Sequence, residues 1–355
     1  MARAWIVVAT GILWGAGVHG AFALDIGAVN RAEPSTKSTK AAKGFDPAML
    51  RAQVLLDRAR FSPGEIDGRD GVNVRQAIRM FEMAQGLAPD GKLGPEMWAR
   101  LTASSSEPVL VEYRLTDGDV KGPFVTKIPA RMEEMKNLKH LGYRGPLEAL
   151  GEKFHMSEGL LKALNPGKAF DRSGDTIVVA NVRSDPPDAK ASKIEIDKSR
   201  KILMAFDKDG RLLAAYPASN GSTEKPAPSG TLRVTSVTKD PTYRYNPKYK
   251  FRGIKSKRPF TIEPGPNNPV GSVWINLSGE GYGIHGTPEP SNISKTASHG
   301  CIRLTNWDAL ELAAMVEKRT PVAFLDKIDG LDAMADASQG EVDDRQSRPA
   351  ARTKR

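Results

Sequence analysis

The 355-residue sequence has a single cysteine, Cys301. No intramolecular disulfide can form, so stability must come from packed cores, and the length is ample for two or three domains. No phosphate loop, dinucleotide fingerprint or nucleic-acid motif occurs, so no cofactor is implied. Histidine is scarce too, with five in the chain. His285, His299 and Cys301 lack the paired spacing of a zinc site, so no metal is expected. Long apolar runs are absent except for Trp5 to Val18, which is too short for a comfortable bilayer span. With Arg3 before it and Ala21-Phe22-Ala23 after it, this run reads as an export signal over residues 1–23, cleaved after Ala23. No cysteine lies near that point, which excludes a lipid anchor there. Export makes the lone thiol more telling, because an unpaired cysteine in an oxidising compartment suggests a reactive one.

Positive charge is abundant. The net charge is +10, and residues 191–260 alone carry sixteen Lys/Arg against six Asp/Glu. Such a face is either an attraction for a polyanion or simply a solvated surface. An exported chain rarely meets nucleic acid, so that partner is excluded.

The stretch His285 to Arg303 reads HGTPEPSNISKTASHGCIR. A thiol attacks as thiolate, and a neighbouring imidazole can supply the activation by taking its proton. The polar, glycine-bearing run Ser298-His299-Gly300 makes a poor core strand, which argues against a merely buried cysteine. Gly283-Ile284-His285 alternates as a strand end and would hold the His285 ring as general base. His299, two residues before Cys301, either orients substrate and biases the thiolate or is a structural hydrogen-bonder. Gly300 permits close backbone approach, and amides near 299–301 could face a developing oxyanion. Arg303 either binds a carboxylate as a fork or holds the loop through a salt bridge. Only Glu280 and Glu289 are acids near His285, so a backbone carbonyl could equally orient its ring.

Ser298-His299-Gly300-Cys301-Ile302-Arg303, with His285-Gly286 upstream, resembles the active-site signature of the YkuD-type L,D-transpeptidases. The match extends from Asn267-Asn268-Pro269 through Gly281-Tyr282-Gly283-Ile284-His285-Gly286-Thr287-Pro288 to Leu304-Thr305-Asn306-Trp307-Asp308-Ala309. Arg303 stands where many members have Asn. The resemblance implies a peptidoglycan-modifying cysteine acyltransferase in the periplasm or cell envelope of a bacterium. Cys301 would attack the third-residue carbonyl of a stem tetrapeptide and release D-Ala, and the amine of a second stem would resolve the thioester. Water as acceptor would make the enzyme an L,D-carboxypeptidase, and a lipoprotein lysine would make it an anchoring enzyme. The catalytic set would be Cys301, His285, His299 and Gly300, with Arg303, Gly286, Ser298 and Tyr282 against the substrate. The resemblance favours a carbonyl, that of Gly281, as the partner of His285. Carbapenem-type β-lactams would acylate Cys301.

Along the chain, residues 24–44 read as a flexible leader. Residues 45–103 read as three short helices, with Leu50, Val54, Leu55 and Ala59 facing Val74, Ala77, Ile78, Phe81 and Ala84. Ile66-Asp67-Gly68, Ala77-Ile78, Phe81, Asp90-Gly91 and Trp98 are arranged as in a peptidoglycan-binding domain. Residues 104–134 read as connecting chain, with Val109 to Val111 as a strand candidate. Residues 135–182 give two helices, the second capped by Ser157, then Asn165-Pro166-Gly167 and a strand after Gly174. This resembles the second half of a LysM module without its front, so affinity for glycan strands stays open. After a linker at 183–191, residues 192–327 read as a mainly β catalytic domain with a hairpin at Asp207–Gly210 and one helix after the cysteine. The resemblance adds that its sheets form a sandwich. Residues 241–270, with Tyr243, Tyr245 and Phe260, are the expected substrate-contacting loop. Residues 328–355 read as a disordered tail.

Overall fold

The computed structural model describes residues 25–34, 44–183, 185–222, 225–249, 254–296 and 300–327. The export signal and the tail lie outside these residues. Among the described residues, no helix is long and apolar enough to cross a membrane.

The segment read as a flexible leader instead contains a short helix, α1 (Ile26–Asn30), which is tied down. Val29 is fully buried, and the Asn30 side chain donates to the Leu110 carbonyl at 3.0 Å and accepts from the Leu110 amide at 2.8 Å. One turn is too short to show periodicity in sequence.

The three-helix unit consists of α2 (Pro47–Arg58), α3 (Val72–Ala84) and α4 (Pro95–Ala103). Asp46 caps α2, its carboxylate accepting from the Ala48 and Met49 amides, and Pro47 supplies a pre-set φ at the first position. Leu50, Val54, Leu55, Ile78, Phe81 and Leu101 are all nearly inaccessible to solvent and make one core.

The next unit is β1 (Leu110–Arg114), α5 (Asp117–Lys121), α6 (Met132–Met135), α7 (Pro146–Lys153), α8 (Glu158–Leu164) and β2 (Thr176–Ala180). β1 comes from the segment read as connecting chain, and it pairs antiparallel with β2, Glu112 opposite Val178. The unit therefore has a βααβ frame with α5 and α6 in its first connection. Thr116 and Asp119 form a capping box at α5, and Ser157 caps α8 through the Leu160 amide.

The remaining strands are β3 (Lys193–Asp197), β4 (Ile202–Phe206), β5 (Leu212–Pro217), β6 (Gly230–Lys239), β7 (Tyr243–Tyr245), β8 (Phe260–Ile262), β9 (Val273–Leu277), β10 (Gly283–His285), β11 (Ile302–Arg303) and β12 (Pro321–Leu325), with α9 (Asn306–Met315) after β11. Asp207 closes the expected hairpin between β4 and β5, accepting from the Asp209 and Arg211 amides, and Gly210 takes a φ of 80°. Eight strands form one sheet in the order β11-β10-β9-β6-β12-β3-β4-β5, and β7 pairs with β8 separately. The layers of the expected sandwich are thus one curled sheet. Ten-residue β6 belongs to both halves and carries an irregularity between Val234 and Ser236. The curl nearly closes. Ser219, just past β5, bridges Arg303 of β11 with reciprocal backbone bonds of 2.9 and 2.8 Å. α9 packs inside through Ala309, Leu312 and Met315 against Ile275, Ile284 and Leu304.

The three units meet around the first turns of α9. Asp57 of α2 lies 2.8 Å from His155 Nδ1, and His155 stacks on Trp307 with ring centroids 5.0 Å apart. Ser62 donates to Asp308 at 3.0 Å, while Glu311 pairs with Arg60 and accepts from Tyr216 at 2.7 Å.

Candidate active site

β10 and β11 run parallel, with Ile284 opposite Ile302 and His285 opposite Arg303. Strand alternation then sorts the side chains. Ile284 and Ile302 enter the core. His285, Arg303 and, two residues before it, Cys301 belong to the opposite face. The site therefore sits at the seam where the sheet meets itself.

His285 is 6% exposed, and its Nδ1 lies 2.7 Å from the Gly286 carbonyl oxygen. A carbonyl can only accept, so Nδ1 carries the proton and the Nε2 lone pair is left for chemistry. The orienting carbonyl is that of Gly286, not of Gly281 as expected. The Gly281 carbonyl instead faces the thiol, accepting from Cys301 Sγ at 3.5 Å. Burial, with the Arg303 charge adding to it, pushes the His285 pKa down to about 4 against the bond to Gly286. Burial pushes the Cys301 thiol up, opposed by the Gly283 amide, Lys225 and Arg303. The resting pair is therefore neutral thiol and neutral imidazole.

The floor of the site is Trp274 on β9. Register places it opposite His285, and the two rings stack at 5.5 Å and 19°. Its indole Nε1 donates to Asn276 Oδ1 at 3.1 Å. The ring occupies the space above Gly283, where a Cβ would come within 2.4 Å of it.

Gly300 has a φ of 98° and lies against Tyr282 and the Lys225 stem. Arg303 is half-buried and donates to Thr296 Oγ1 at 3.4 Å. Among the described residues no carboxylate comes within ion-pair distance of Arg303, so the loop-holding salt bridge is absent there. Burial lowers the Arg303 pKa while Glu289 and Cys301 raise it. Gly286 is buried beside Asn306. Ser298 and His299 lie outside the described residues. In the expected substrate loop, Tyr245 is buried and stacks on Phe260 at 4.7 Å. Tyr243 is close enough to Cys301 for the thiolate to raise its pKa, after burial has done most of it.

Lys225, Trp274 and Ser219 are the participants that sequence reasoning missed. Ser219 and Trp274 reach the site through strand pairing, and Lys225 lies far upstream in a Pro- and Ser-rich loop. Among the described residues no group of three or more His, Cys, Asp and Glu could hold a metal ion.

Residues 191–323 match the YkuD family of L,D-transpeptidase catalytic domains, and residues 46–101 match a peptidoglycan-binding domain family. A Bacillus licheniformis protein assigned as the L,D-transpeptidase YkuD is 30% identical over 180 residues, covering 50% of this chain and 92% of that one. An Escherichia coli K12 protein assigned as the L,D-transpeptidase YbiS is 28% identical over 190 residues, covering 52% of this chain and 62% of that one. The crystal structure of an L,D-transpeptidase from Xylanimonas cellulosilytica is 18% identical with a TM-score of 0.35, covering 82% of this chain and all of that one.

Proposed function

The chain belongs to the YkuD-type L,D-transpeptidases, and on that premise we propose that Cys301 is its nucleophile and His285 its general base in peptidoglycan cross-linking. The observation that carries the roles is the bond from His285 Nδ1–H to the Gly286 carbonyl, on the sheet face that also bears Cys301. It leaves a neutral imidazole with a lone pair at Nε2.

The thiol adds to the carbonyl of the third stem residue while its proton passes to His285. The tetrahedral oxyanion is held by backbone N–H groups at 300–301. Collapse expels D-Ala, whose nitrogen takes the proton back, and leaves a thioester. The amine of a second stem then attacks, gives its proton to His285, and the thiol leaves with that proton restored. Arg303, with no carboxylate of its own among the described residues, offers its fork to a stem carboxylate. Tyr282 and Gly300 line the approach; His299 would orient the substrate or bias the thiolate, and Ser298 would contact the substrate. The three-helix unit, which matches a peptidoglycan-binding family, would hold the enzyme at the wall. Water or a lipoprotein lysine would use the same acyl-enzyme, giving an L,D-carboxypeptidase or an anchoring enzyme. The expected export signal would place all of this in the periplasm.

Incubation with disaccharide-tetrapeptide should yield dimer and D-Ala, and a carbapenem should add its mass to the intact protein. Cys301→Ala should lose both. D-Ala release by that variant would remove the thiol from the mechanism.

A further inference from the structure

We propose that Glu152, contributed by the βααβ unit, is a positioning residue for the catalytic histidine, acting through the Asn306 carboxamide on the backbone that holds the His285 ring. The inference rests on His285 being the general base.

Asn306 follows the Thr305 cap of α9 and is 1% exposed. Its carboxamide is bonded on every side. Oδ1 accepts from the Ser272 amide at 3.0 Å. Nδ2 donates to Glu152, 3.1 Å from each carboxyl oxygen, and to the Pro266 carbonyl at 3.2 Å. Both N–H donors and the acceptor are thereby used.

The carboxamide also fills a gap between two backbone segments. A Cβ built on Gly271 or on Gly286 would come within 2.1 Å of Asn306 Oδ1. Gly271 has a φ of 64°, so both the space and the backbone conformation demand glycine there. The Gly286 carbonyl is the acceptor on which the Nδ1–H tautomer of His285 depends. The chain of contacts thus runs from Glu152 to Asn306, to the Gly286 peptide, and to the imidazole. Each link is a hydrogen bond or a close packing contact. Glu152 brings this support from outside the residues that match the transpeptidase domain.

The competing reading is that Glu152 merely docks one unit on another. The two readings differ in what happens to His285, because an imidazole that loses its fixed acceptor divides between tautomers and ring orientations. The test uses the full chain. Acylation by a carbapenem is followed by intact mass between pH 4 and 9, and ¹⁵N-histidine NMR reports the His285 tautomer, assigned by its loss in His285→Ala. In Glu152→Ala, acylation at pH 7 should slow by about 10-fold or more, in keeping with the cost of a small misplacement at a reacting group. The Nδ1–H signal of His285 should give way to a mixture. Glu152→Gln keeps an acceptor for Asn306 and should restore the rate and the tautomer. Glu152→Ala combined with Asn306→Ala should be no slower than Asn306→Ala alone, since both break one path. Should the alanine variant not fold, Glu152→Met keeps the volume without the acceptor and carries the same expectation. A variant that melts earlier yet acylates at the wild-type rate with an unchanged tautomer would overturn the proposal. Wild-type acylation rates in His285→Ala would instead overturn the base assignment, and are read separately.

Discussion

Two neutral partners at rest distinguish this thiol from one held as a thiolate beside an imidazolium. With the His285 pKa pushed down to about 4 and the Cys301 thiol pushed up, the proposed mechanism has the proton move only as the sulfur attacks. Carbapenem acylation should therefore hold its rate as pH falls from 7 to 5 and decline only as His285 protonates near pH 4. Alkylation of Cys301 by iodoacetamide, followed by mass, should be slow at pH 7 and still rising above pH 9. A plateau with a midpoint below 7 would mean a preformed ion pair. Cys301 and His285 stood out in the sequence as the candidate nucleophile and base because a lone thiol in a polar loop and a strand-end histidine leave few other readings. The orienting carbonyl was not. Choosing between Gly281 and Gly286 needs the ring's direction, which no spacing encodes. Trp274 and Asn306 stayed hidden for a similar reason, since each reaches the site through pairing or packing with distant segments.

At the scale of elements, one side chain does much of the joining in the βααβ unit. Buried Asn165 donates to the Leu161 carbonyl at 2.9 Å and the Val178 carbonyl at 2.8 Å, and accepts from the Val178 amide at 2.6 Å. It ties the end of α8 to the middle of β2. Asn165→Ala leaves those backbone groups unpaired and should cost about 1–3 kcal/mol, measured as a lower urea midpoint of the full chain. An unchanged midpoint would mean that water replaces the amide without loss. The helices α2, α3, α7, α8 and α9 were readable from periodicity and caps, as were strands β3 to β6 in outline. β11 was not, because two residues carry no alternation and become a strand only by lying beside β10. β1 was visible only as a strand candidate at Val109 to Val111, because one strand of a two-stranded ladder has little pattern of its own. α1 is a single turn, fixed by Asn30 and buried Val29 rather than by propensity.

At the scale of the whole molecule, acids are concentrated where the three units meet. Burial pushes Glu152 and Asp308 up to about 8 and raises Glu311, while Asp57 raises His155 against its burial. Each of these groups binds its proton more tightly folded than unfolded. Their stabilising contribution is thus complete below the unfolded values, near 4 for the acids and 6.5 for His155, and is lost as pH rises through the folded values. His285 has the opposite sign, but only below about pH 6.5. The melting temperature should fall by about 5 °C or more between pH 6 and 9, and Asp308→Asn should flatten that slope. A flat wild-type curve would contradict the buried acids. One feature of the sheet bears on how the molecule comes into being. β12, at residues 321–325, lies between β6 and β3, parallel to the strand that opens the domain. The bridge from Ser219 to Arg303 cannot form until this late segment joins the two halves of the sheet, so the seam beside the thiol closes only when residues 321–325 are in place. A chain still emerging, with residues 321–325 not yet in the sheet, would leave that seam open.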